Sequence, residues 1–283
     1  MPFTLSHPAA VLPVLGNRRL SATGLIAGSM APDVPFFTGA LVPWSYVLGD
    51  FSHRLAGVLT LDLAMAAGLA ALWRFVRMPL LALFPPEPGG RLALLTRPRR
   101  PLRPGAVEAA RFAGSAMVGA GTHVLWDDFT HPDRLGSRLL PVLDRPLDGV
   151  RIAWWLQYGT SALALLLMAW LLLRGLRGID AAAARSAAPA RPVRQGPRVL
   201  AVVLLVVAVG MGLAAGWHRY RTVGGVGYTP LDPVSVLSFY AGAAVVCWSI
   251  GYAAAARMTA LHQAGDERVR MPDREREPER PAA

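Results

Sequence analysis

The sequence predicts an all-α fold, a polytopic membrane helical bundle of about five spanning helices preceded by a short N-terminal helical hairpin. Three observations carry this reading. Hydrophobic residues make up 53% of the 283 residues and charged residues only 17%, with a positive mean hydropathy, outside the range of ordinary soluble domains. Apolar residues gather into five runs, at 55–76, 105–129, 152–174, 198–217 and 233–256, each close to the ~20 residues that a helix needs to cross a bilayer. The basic residues, all 29 of them arginine, fall mostly between those runs.

Each connection has its own composition. Between the first two runs lies "FPPEPGGRLALLTRPRRPLRPG", a Pro, Gly and Arg mixture that reads as irregular loop. Residues 175–197, biased toward Ala, Arg and Pro, read as a mobile loop. From 258 to 283 the chain becomes highly charged and ends "DREREPERPAA", which reads as a disordered tail. Three units follow: 1–150 with most of the ionisable residues, 151–257 with the later spans, and the tail.

A net charge of +11 is compatible with nucleic acid, but arginines in short loops between apolar runs form the pattern of membrane orientation, so no nucleic-acid partner is expected. Seven arginines lie in 73–105, six in 174–198 and six in 257–280, against four in 134–151 and two at 219 and 221. The positive-inside rule then places the arginine-rich loops and the tail in the cytoplasm of a multi-pass cell-membrane protein. Trp73 and Trp170 toward one boundary, and Trp126, Trp154, Trp155 and Trp217 toward the other, fit interfacial anchors. The single cysteine, Cys247, excludes a disulfide framework or a cysteine zinc site within one chain. No basic n-region or small-residue cleavage pattern opens the chain, so no removable signal peptide is expected.

"FTLSHPAAVLPVL" and "LSATGLIAGSMA" flank "GNRR" and are too short to span, which suits a re-entrant or interfacial hairpin. Its geometry brings His7 and Asp33 to the same end. "APDVPFF" after it reads as extended, fixed by its two prolines.

The chemistry-bearing stretch is "THVLWDDFTHPD", 122–133. His123, Asp127 and His131 follow HxxxDxxxH and project from one helix face, a ligand set suited to zinc and, with open positions, to iron or manganese. Pro132 ends the helix near His131. His53 opens the first span at the same outer level, and the hairpin adds His7 and Asp33, so separated groups converge at one end of the bundle. Asp128 points about 100° from Asp127. Asp62, about 13 Å below His53 on a regular helix, is expected to pair with Arg111.

At these residues the sequence resembles the bacterial membrane proteins of domain-of-unknown-function family 4184, through "PFTLSHPAAVLP", "GSMAPDVPFF", "SHRLAGVLTLDLAM" and "GAGTHVLWDDFTHPDRLG". These cover most of residues 2–140. The family is distantly similar to inner-membrane proteins described as metal-dependent hydrolases, and HxxxD is similar to the helix-borne ligands of the zinc-dependent phospholipase C and nuclease group. The resemblance implies His7, Asp33, His53, His123 and Asp127 as ligand candidates, with His131 and Asp62 beside them.

The expected function is a metal-dependent hydrolase acting on a phosphoester or lipid-linked substrate at the outer face. A divalent ion, zinc by its ligands, is held by His7, His53, His123 and Asp127, with His131 as a further ligand, while Asp33 or Asp128 accepts the proton of the attacking water. Membrane lipids are the expected partners. The alternative is a non-enzymatic transport or proton-relay protein, which needs ionisable groups spread through the membrane; the last three runs, almost free of such groups, favour the hydrolase.

Overall fold

The computed structural model describes residues 3–98, 105–132, 134–189, 193–223 and 232–270. After a 3-10 segment, Thr4–Val14, come α1 Ala22–Met30, α2 Val34–Gly39, α3 Val47–Ser52, α4 Leu55–Leu59, α5 Leu61–Leu81 and α6 Pro86–Leu95. α7 Ala106–Thr130, α8 Leu135–Leu139, α9 Ile152–Arg177, α10 Ala181–Ser186, α11 Gln195–Val223 and α12 Asp232–Arg270 follow. The strands described are one antiparallel pair, Pro146–Leu147 with Val150–Arg151, closed by Asp148 and Gly149 at positive φ. The chain is an all-α membrane bundle.

Among the described residues, four helical stretches are long and apolar enough to cross a membrane: Leu61–Leu81, Ile152–Arg177, Gln195–Thr222 and Pro233–Gln263. The run expected at 105–129 forms α7, which is 25 residues long but is not among those four. It carries Glu108, Arg111, His123, Asp127 and Asp128 and packs against α1, α5, α9 and the N-terminal 3-10 segment. The later spans instead expose large apolar side chains, among them Leu163, Leu166, Trp170, Val206 and Met211, as lipid-facing helices do.

Several local expectations are corrected. The first arm of the hairpin is a 3-10 helix with Pro8 and Pro13 inside it, because each proline removes an amide donor from the α-helical ladder. "APDVPFF" is not extended: Ala31–Asp33 is a 3-10 turn leading into α2, with a proline in the opening turn of each, where the missing N–H costs nothing. The first span does not begin at His53. His53 caps the C-terminus of α3, α4 follows, and the chain breaks at Thr60 (φ −132°, ψ −80°) before α5 starts at Leu61. In 175–197, expected to be one loop, α10 docks on α6 with Ala184 fully buried. α12 continues past 258 to Arg270; residues 271–283, the rest of the stretch read as a disordered tail, lie outside the described residues.

α1 and α7 cross in backbone contact. A Cβ on Gly28 would lie 2.1 Å from the Ala116 carbonyl oxygen, and one on Gly119 would lie 2.2 Å from that of Leu25. Small residues permit this approach, and it aligns the end of α1 with His123 one turn beyond Gly119.

α9 links the two ends of the molecule. Near its start Gln157 meets His131 at 3.1 Å, and near its end the Leu176 carbonyl accepts a hydrogen bond from Arg91 at 2.6 Å. Nineteen residues of helix make about 28 Å, close to the thickness of a bilayer's hydrocarbon core. The His/Asp end and the arginine-bearing α6–α10 end are thus separated by about one membrane.

Candidate metal centre

Two backbone carbonyls, one hydroxyl and one helix face aim four donors at one point. His123 Nδ1 lies 2.8 Å from the Ser29 carbonyl oxygen, and His53 Nδ1 lies 2.8 Å from that of Gly49. A carbonyl only accepts, so both rings carry the proton on Nδ1 and present the Nε2 lone pair inward, the arrangement by which outer partners orient metal-binding histidines. Thr4 donates from Oγ1 to Asp33 Oδ2 at 2.5 Å, leaving Oδ1 for the centre. Asp127 comes from α7, one turn beyond His123, on the same buried face.

The separations decide what this arrangement suits. His53 Nε2 lies 3.7 Å from Asp33 Oδ1 and 3.5 Å from Asp127 Oδ2. His123 Nε2 lies 3.5 Å from Asp33 Oδ1 and 3.6 Å from Asp127 Oδ2. These gaps are too long for hydrogen bonds. Two donors bound tetrahedrally at about 2.0–2.2 Å from a zinc-like ion stand roughly 3.3–3.6 Å apart, close to all four values. The four donor atoms lie within 4.8 Å of one another and all four residues are buried. His123 Nε2 is buried without a hydrogen-bond partner, an arrangement that is costly unless something occupies the centre. The residues fit a divalent ion, and two carboxylates with two neutral imidazoles balance its charge.

His7 stacks flat on His123, with centroids 3.4 Å apart and an interplanar angle of 10°, and its Nε2 is 3.7 Å from Asp127 Oδ1. It lines the centre outside the four-donor set. Burial, reinforced by His123, pushes the His7 pKa well below the ordinary histidine value. For Asp33 burial acts upward, but the neighbouring His123 and His7 outweigh it and hold the carboxyl below the usual range.

The helix ends at Thr130, and His131 is extended (φ −110°, ψ 136°), as Pro132 predicts. His131 Nδ1 lies 3.1 Å from the Asp127 carbonyl oxygen and 3.7 Å from Asp127 Oδ2, while its Nε2 lies 3.1 Å from Gln157 Nε2. Nδ1 therefore donates and Nε2 accepts, so both ring nitrogens are engaged and His131 braces Asp127. Asp128 is half-buried on the adjacent face, and among the described residues no hydrogen bond or ion pair ties it to the four donors. Asp33, read from the sequence both as a ligand candidate and as a proton acceptor, stands among the four grouped donors.

The expected pair between Asp62 and Arg111 does not form. Arg111 bonds Glu108, one turn away on its own helix, whereas both Asp62 carboxylate oxygens are buried without a hydrogen-bond partner. Sequence reading also missed Thr4 and Gln157. Gln157 did leave a signal, as an amide inside an otherwise apolar span, which is rare without a polar neighbour.

No curated protein and no solved structure gives a significant match to the chain. The family model described as "Domain of unknown function (DUF4184)" matches residues 1–258, a stretch that contains every residue of this centre, the first three apolar helices and most of the fourth, Pro233–Gln263. The chain, with its buried His/Asp centre, belongs to the DUF4184 family.

Proposed function

We propose that the protein is a membrane-embedded, metal-dependent hydrolase whose substrate is a phosphoester or a lipid-linked molecule reaching the outer face. The observation that supports this best is the set of four buried donor atoms spaced at tetrahedral rather than hydrogen-bonding distances. Zinc suits two imidazoles and two carboxylates, with His53, His123, Asp33 and Asp127 as ligands. Such an ion, when bound, lowers the pKa of a water and polarises the bond to be broken. The protein's residues hold and orient: Ser29 and Gly49 set the two imidazoles, Thr4 fixes Asp33, and His131 with Gln157 steadies Asp127. The concentration of ionisable groups at one end, rather than along the membrane, supports hydrolysis over transport.

Metal content of detergent-purified protein tests the reading. The wild type is expected to hold about one zinc per chain, and His123→Ala and His53→Ala are each expected to lose it. Undiminished metal in both variants overturns the shared centre. Sidedness has its own test. Leu140, exposed in the connection between α8 and α9, is replaced as Leu140→Cys in a Cys247→Ser background and probed with an impermeant thiol reagent on intact cells. Labelling from outside is expected; labelling only after the cytoplasmic side is opened reverses the orientation.

A further inference from the structure

Among the described residues, Asp62 is the buried carboxylate near the centre to which the four donors leave no task. On α5 the residues buried at this end are Asp62 and Ala66, one turn apart and so on one face. Ala66 packs with Ala27, Ala31 and Ala116, and the elements that meet there lead to the centre: Ala31 precedes Asp33 by two residues, and Ala116 precedes His123 by two turns along the buried face of α7. At about 1.5 Å per residue, Asp62 stands about 6 Å above this shared layer and His123 about 10 Å above it, so Asp62 underlies the imidazole by about one side-chain length. The break at Thr60 makes this possible, because on one unbroken helix from His53 the carboxyl would lie far below.

The ionisable groups that act on Asp62 are His53, His123 and Asp33. From the other elements packed on α5, Arg257 of α12 bonds the Phe75 carbonyl, Arg91 and Glu87 of α6 pair with each other, and Arg111 of α7 is held by Glu108. Asp62 is 1% exposed and neither of its oxygens has a hydrogen-bond partner in the protein; an unpaired buried carboxylate costs several kcal/mol when ionised, so it contributes nothing as a structural ion pair. The two carboxylates of the centre already balance a divalent ion, which leaves Asp62 free to take up a proton.

Resting on the hydrolase reading, we propose that Asp62 is the proton acceptor of the centre, lying beneath the imidazole of His123 and receiving the proton of the attacking water. The O–H bond of the water breaks and its proton bonds to a carboxylate oxygen of Asp62. The water oxygen forms the new bond to phosphorus or acyl carbon, the bond to the leaving oxygen breaks with its electron pair, and the proton passes from Asp62 to that oxygen. No oxidant or reductant is involved.

Cobalt(II) in place of zinc gives a visible spectrum that reports proton loss at the centre without a substrate. Asp62→Asn is expected to bind one equivalent of Co2+ with an affinity change of less than about ten-fold, below the range typical of an outer-shell partner. Its pH-dependent spectral transition is expected to move by about one pH unit or more, a ten-fold change in proton affinity, and Asp62→Glu to restore it. In wild-type protein the infrared C=O band of a protonated carboxyl is expected to change with the same midpoint, a reading that stands if the Asn variant fails to fold. An unmoved transition in Asp62→Asn, loss of Co2+ from that variant, or a carboxyl band constant through the wild-type transition overturns Asp62 as acceptor and leaves the four-donor centre standing. Failure of wild-type protein to bind Co2+ overturns both.

Discussion

Asp127→Asn is expected to remove most of the stabilisation that zinc gives the folded protein. Asp127 is the hub of the centre: His53, His123 and His131 lie within 3.7 Å of Oδ2, and His7 lies 3.7 Å from Oδ1. Asparagine keeps the shape but removes the charge, and a lost ligand weakens binding by more than the 10–100-fold typical of an outer-shell partner. At free zinc about 1,000 times the wild-type Kd, binding stabilises the folded state by about 4 kcal/mol; a 100-fold weaker site gains only about 1.4 kcal/mol at the same concentration. Asparagine also removes the charge that faces His123 and His131 in the metal-free protein, so the zinc effect is read within each protein, as the difference with and without metal. Thermal unfolding in detergent, with and without Zn2+, reads the effect: a large zinc-induced rise in Tm for the wild type and a small one for the variant. An equal rise in both proteins removes Asp127 from the ligand set.

The bundle was visible in the sequence because spanning helices are set by length and apolarity, and both can be counted along a chain. Convergence of His7, Asp33, His53, His123 and Asp127 was visible for a related reason. HxxxD fixes one helix face, and the hairpin and the first span return the other groups to the same level whether or not their helices are regular. Regularity itself could not be read. Thr60 is an ordinary residue in an apolar run, yet the break there shifts Asp62 from a depth of about 13 Å on a regular helix to the first turn of α5, and the expected pair with Arg111 fails for that reason. α7 shows the opposite limit. It has the length of a span, but it carries Glu108, Arg111, His123, Asp127 and Asp128, and one face of it packs on α1, α5 and α9, a partnership that is a tertiary property. The division of labour among the ligands was equally hidden. Nothing in the residue order tells that Thr4 holds one oxygen of Asp33, or that Gln157 engages the nitrogen His131 would need to bind metal.

Gly119→Ala is expected to destabilise the protein and disturb the centre, whereas Gly121→Ala on the same helix stabilises it or changes nothing. Both lie within α7, where alanine is favoured over glycine by about 1 kcal/mol through helix propensity, so the local contribution is the same and the difference comes from packing. A Cβ at 121 meets nothing within 4 Å, while one at 119 falls 2.2 Å from the Leu25 oxygen and 2.7 Å from the Ser29 nitrogen. These are backbone atoms that no rotamer change can move aside. The helices must separate, and overpacking of this kind costs about 1–3 kcal/mol or more, enough to reverse the propensity gain. Separation also stretches the 2.8 Å contact between His123 Nδ1 and the Ser29 carbonyl, the contact that fixes the tautomer and aim of His123. Gly119→Ala is therefore expected to lower both the Tm and the zinc affinity, the latter within the 10–100-fold range of a disturbed outer-shell partner. Equal stability and zinc affinity in the two variants refutes the idea that close contact between α1 and α7 holds the imidazole in place. A variant that loses stability yet binds zinc normally separates the packing of these helices from the orientation of His123.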